Sequence, residues 1–71
     1  MNIISCLALA YLTLGHVDRI YDGVAVVEYR QDGMIKHVDI PLVDPEEAYC
    51  IPREGQSVYF NEDEIVICLR Q

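Results

Sequence analysis

Two histidines each stand two residues ahead of an aspartate, in His16-Val17-Asp18 and His37-Val38-Asp39. In an extended strand, residues i and i+2 share a face, so each pair points one way. Imidazoles and carboxylates brought together are ligands for a zinc-type ion. Neither spacing is diagnostic, and a strand running between the pairs would hold them about 10 Å apart, twice the inter-strand distance. Solvated polar faces account for both pairs, and no metal or other cofactor is expected. The cysteines are Cys6, Cys50 and Cys68. A cysteine nucleophile needs its thiol within hydrogen-bond reach of a base. Cys68 lies in Ile-Val-Ile-Cys-Leu and Cys6 in an apolar run, so both read as packing residues; Cys50, in a loop, is the one credible exposed thiol. An odd, sparse set without a C-x-x-C pair does not suggest a disulfide framework. The expectation is small buried thiols in a reducing cytoplasm.

Paired carboxylates occur at Glu46-Glu47 and at Glu62-Asp63-Glu64. Acid–base catalysis needs a desolvating cleft to separate two carboxylate pKa values, and 71 residues leave little room for one. Four isolated glycines with turn roles, and no lysine after a glycine-rich loop, exclude a phosphate-binding loop. An enzyme is therefore not expected. The five tyrosines, Tyr11, Tyr21, Tyr29, Tyr49 and Tyr59, exceed what one small core needs, and tyrosine suits interfaces because it is part apolar and part polar. The residues singled out for partner binding are Tyr29, Asp44, Glu46, Glu47, Tyr49, Glu62, Asp63 and Glu64. Twelve acids against five bases give a net charge of −7, spread along the chain. Such a surface repels nucleic-acid backbones and attracts a basic protein groove, although solubility alone also explains it.

The elements that must position these residues follow from length and texture. A chain this short is a single domain of marginal stability, residues 1–71. Its 52% hydrophobic content argues against disorder. Residues 1–14 are nearly all apolar. Ala8-Leu9-Ala10 resembles a cleavage site, but no basic residue precedes Arg19 and the run ahead of Ala8 is short. The run is also too short to cross a membrane, so it is read as part of the core. Ile3, Ile4, Leu7, Tyr11 and Leu14 share a helical stripe and Gly15 sits where a C-terminal cap would, which predicts a helix over 3–13, with a buried strand as the alternative.

Strand texture follows over residues 15–70. Residues 16–21 alternate, with Val17 on one face and His16, Asp18 and Ile20 on the other. Asp22-Gly23 is a turn. Residues 24–30 are β-branched and aromatic, apolar on both faces at their start, so the N-terminal helix is the obvious cover. Gln31-Asp32-Gly33 reads as a three-residue hairpin loop and residues 34–40 as the returning strand, ended by Pro41. Asp44-Pro45-Glu46-Glu47 should form one helical turn. Residues 57–60 and 65–69 supply the last strands. Five short strands at this spacing predict a mostly β domain, an SH3-like or related barrel or meander with an N-terminal helix.

The block Val17-Asp18-Arg19-Ile20-x-Asp22-Gly23-x-Ala25-Val26-Val27-Glu28, then Gly33, then Asp39-Ile40-Pro41-Leu42, then Pro52-x-Glu54-Gly55-x-x-Val58, resembles a family of short bacterial proteins of unknown function, domain-of-unknown-function family 3006. The resemblance spans about residues 15–60 and implies a fold type but no catalytic residues. The apolar N-terminal run and a longer, more acidic loop over 44–51 depart from the family pattern, and a specific partner would be sought there. The expected function is a small acidic, non-catalytic protein-interaction module with a basic protein partner. One alternative is a phage-type inhibitor that fills a basic nucleic-acid groove of a host enzyme, in the anti-CRISPR or anti-restriction manner. A second is a homo-oligomeric structural piece pairing through residues 24–27 and the N-terminal run.

Overall fold

The computed structural model describes residues 11–70. They form one antiparallel sheet of five strands, β1 (Thr13–Tyr21), β2 (Val24–Gln31), β3 (Met34–Pro41), β4 (Ser57–Phe60) and β5 (Ile65–Cys68), in the order β3-β2-β1-β4-β5. The mostly β expectation and the five strands stand. The closed SH3-like barrel does not. β3 and β5 are the two edges, and no ladder joins them. β5 has only four residues, and the segment 42–56 lies between β3 and β4 in the chain, where a closing strand would otherwise follow.

The N-terminal helix expected over 3–13 falls mostly outside the described residues. Of its last three positions, Tyr11 lies in a turn, Leu12 is irregular and Thr13 opens β1. Gly15 is therefore no helix cap. It sits inside β1, opposite Tyr29 on one side and Val58 on the other. A Cβ there would stand 2.5 Å from Val27 Cγ1 and 2.8 Å from Phe60 Cε1. Glycine lets β2 and β4 side chains close over the strand between them.

The β1–β2 register runs Gly15↔Tyr29, His16↔Glu28, Val17↔Val27 and then jumps to Arg19↔Val26 and Ile20↔Ala25. Asp18 is the extra residue of a β-bulge, and a bulge inverts the alternation beyond it. Ile20, expected beside His16 and Asp18, is turned instead to the core face, where it packs against the buried cluster. Glu54 supports the bulge, its Oε2 accepting the Ile20 amide hydrogen at 2.8 Å. Beside it the Val17 N–H donates to Gln56 O, and the Gly55 N–H to Val17 O, each at 2.8 Å.

Both hairpins of β1–β2–β3 turn on two residues. Asp22 and Gly23 have φ of 50° and 73°, and Asp32 and Gly33 have 54° and 76°. Two successive left-handed residues define the type I′ turn, whose twist matches the strands. Gln31 pairs with Met34, so the loop expected to hold three residues holds two. β2 is hydrogen-bonded by β1 on one side and β3 on the other, which leaves its 24–27 stretch no free edge for pairing between copies.

The core lies on one face of the sheet. Val17, Ala25, Val27, Ile40, Val58, Phe60 and Ile65 are its buried members. Each large member contributes about 1.5–3 kcal/mol by leaving water. Val26, also buried, belongs to the opposite face of β2. Ile40 of β3 and Ile65 of β5 come from opposite edges, yet both line one cavity, so the sheet curls until its edges approach.

The segment 42–52 fills that approach, and it is stapled. Cys50 and Cys68 form a disulfide with Cα atoms 6.0 Å apart. The expectation of free packing thiols is corrected here. A separation of 18 residues carries no pairing signal, and only the return of β5 brings Cys68 beside the loop. Closing a loop of this length adds about 3 kcal/mol in the chain-entropy account. No helix among the described residues is long and apolar enough to cross a membrane.

Candidate functional site: the stapled loop and its cavity

The loop begins where β3 stops at Pro41. The Leu42 N–H donates to Gly23 O at 2.8 Å, which ties the loop's start to the first hairpin. Asp44 O then accepts from the Glu47 N–H at 2.8 Å and the Ala48 N–H at 3.1 Å. These are the i→i+3 and i→i+4 bonds of the single helical turn expected at Asp44-Pro45-Glu46-Glu47, and they go no further. The disulfide fixes Cys50, and Pro52, two residues on, is buried. On the other side of the site, Asn61 organises the β4–β5 turn. Its Oδ1 accepts from the Asp63 N–H at 3.3 Å and the Glu64 N–H at 3.1 Å, while its own N–H donates to Glu64 O at 3.0 Å.

Between these two supports is a cavity of about 140 Å³. Its floor is Ile40, Ile65 and Pro52, all buried, and its walls are the half-buried Leu42, Ala48 and Cys50. Val43, Tyr49 and Ile51 form its rim at 50%, 68% and 64% exposure. Among the described residues, Glu64 is the one charged member of the lining. No hydrogen bond or ion pair among the described residues engages its carboxylate.

The site residues singled out from the sequence divide accordingly. Tyr49 and Glu64 line the cavity. Asp44, Glu46 and Glu47 are exposed on the turn of the same loop, and Glu62 and Asp63 are exposed on the β4–β5 turn. Tyr29 lies elsewhere, half-buried, its ring edge-on to Phe60 with centroids 5.4 Å apart. The apolar members Leu42, Val43 and Ile51 were missed. Their only sequence signal is a run of hydrophobic residues inside a segment that reads as loop.

The two His-x-Asp pairs do flank a central strand. His16, Glu28 and His37 form one cross-strand row on the face opposite the core. His37 Nε2 lies 3.6 Å from Glu28 Oε2, with both side chains about half exposed. The Asp18 bulge breaks the row beyond His16, so the second residue of the first pair no longer matches Asp39. Among the described residues, no group of three or more histidine, cysteine or acidic side chains is arranged to hold a metal ion. No family model matches the chain, and neither a curated protein nor a solved structure matches it.

Proposed function

We propose that this chain is a non-catalytic protein-interaction module that meets a basic protein partner with the face formed by residues 42–52 and the β4–β5 turn. The observation that carries this is the apolar cavity with its exposed rim of Val43, Tyr49 and Ile51, with Asp44, Glu46, Glu47, Glu62 and Asp63 exposed on the two turns that contribute to its lining. An apolar centre with polar and charged residues on neighbouring turns is the anatomy of a recognition surface. Its supports are rigid, namely a disulfide, a buried proline and a bonded turn, so little ordering opposes binding. The test is selection from an unbiased displayed-peptide library. The parent chain, a Val43→Ser/Tyr49→Ser/Ile51→Ser variant and a His16→Ser/His37→Ser variant are compared. The expected result is enrichment by the parent and the histidine variant and none by the loop variant. Enrichment that survives in the loop variant contradicts the reading.

The second reading is the groove-filling inhibitor. It is favoured by a net −7 on 71 residues, with acids on both turns beside the cavity. It requires binding to a basic nuclease that weakens steeply with added salt. The Cys50–Cys68 disulfide favours an oxidising compartment over the cytoplasm that the cysteine spacing suggested. Thiol trapping of the protein from its source cells, followed by mass measurement, decides between them.

A further inference from the structure

We infer that the cavity beneath residues 42–52 seats a single large apolar side chain of an extended basic segment of the partner, with Glu64 meeting the lysine or arginine beside that anchor. This rests on the interaction-module reading and specifies its ligand. Volume sets the first limit. Pockets for drug-sized molecules run from about 300 Å³ upward, whereas an apolar void of about 150 Å³ holds one benzene. At about 140 Å³ the cavity has room for one leucine- or phenylalanine-sized group and little more.

The lining sets the second limit. The side chains of Ile40, Ile65 and Pro52 offer no polar partner from below, so the floor favours an apolar group over a polar one. The rim sets the third. Tyr49 and Ile51 carry apolar surface outward from the cavity mouth, so the occupant continues past its anchor, as a polypeptide does. Charge decides the neighbours of that anchor. Glu64 stands at the cavity with its carboxylate unengaged among the described residues, and the five other acids are exposed on the two turns that also supply the lining residues Pro45, Ala48 and Glu64. An acidic flank on the ligand would be repelled and a basic one attracted. The Cys50–Cys68 disulfide and Pro52 hold the wall in place before binding.

The experiment titrates the isotope-labelled full chain, disulfide intact, with three short synthetic peptides, followed by nuclear magnetic resonance. One carries leucine between two lysines, one alanine between two lysines, and one leucine between two glutamates. The leucine–lysine peptide should shift Leu42, Tyr49, Ile51 and Ile65. Losing the large side chain should weaken binding about tenfold or more. The glutamate peptide should bind at least about tenfold more weakly than the lysine one. Glu64→Gln should narrow that lysine-over-glutamate preference about threefold or more while keeping the preference for leucine over alanine. Ala48→Leu, which fills the cavity without changing charge, should abolish the leucine preference. Retained dispersion of amide signals shows that each variant is folded. Equal binding of the leucine and alanine peptides, or of the lysine and glutamate peptides, overturns the inference. So does the absence of any shift at the loop. Shifts confined to the His16–Glu28–His37 face would also overturn it, but would leave a binding module with its site elsewhere.

Discussion

A methyl group at position 15 would overlap Val27 and Phe60 at once, and neither can retreat easily, because Val27 is fully buried and Phe60 is held against Tyr29. Gly15→Ala should therefore cost about 1–3 kcal/mol, the range for overpacking, as a lower urea midpoint at unchanged slope. The type I′ turns make a milder prediction. Asp32 has φ of 54°, which asparagine tolerates well and alanine poorly. Asp32→Asn should be neutral or slightly stabilising, and Asp32→Ala should cost about 1 kcal/mol, read in the same denaturation series. At this scale the sequence was informative wherever a residue's own backbone preference decides. Asp-Gly twice announced a reversal. It was misleading at Gly15, where glycine serves a tertiary close approach, and a cap and a close approach look alike in one dimension.

Elements were legible where alternation is regular and hidden where a register shift intervenes. β2 and β3 pair without a break over eight positions, and their limits follow from the residues within about one position. β1 was read with Ile20 on the wrong face, because a bulge adds one residue and no composition change marks it. The bulge does have a partner in the sequence. The structure joins Val17-Asp18-Arg19-Ile20 to Glu54-Gly55 through the Ile20 N–H to Glu54 Oε2 and the Gly55 N–H to Val17 O. These bonds give both segments a structural role. Glu54→Ala should destabilise the chain by about 1 kcal/mol, the net worth of a hydrogen bond to an exposed carboxylate. It should also speed amide exchange at Ile20, which hydrogen-exchange measurements would show; unchanged protection there would refute the role given to Glu54. The loop over 42–52 was legible as a turn and as an acidic segment. Its apolar lining was not, because those residues become one surface only when the two sheet edges approach.

At the scale of the whole molecule, the described residues have a core cluster of seven buried side chains and one covalent closure. For so small a domain the closure is a large share of net stability. Reduction, or Cys50→Ser with Cys68→Ser, should lower unfolding free energy by about 3 kcal/mol, measured with and without reductant. A serine pair as stable as the parent would show that the sheet holds the loop unaided. The disulfide was the least legible feature of all, since the cysteine count argued against it and only the path of the chain supplies it. It also separates two jobs. Everything between Asp44 and Cys50 is outside the sheet's hydrogen-bond ladders, anchored at one end by the Asp44 turn and at the other by sulfur. Residues 45–49 can therefore be exchanged, or extended, without disturbing a single strand pairing. Such a segment can diversify like a replaceable tool head, changing what is recognised while the handle stays the same.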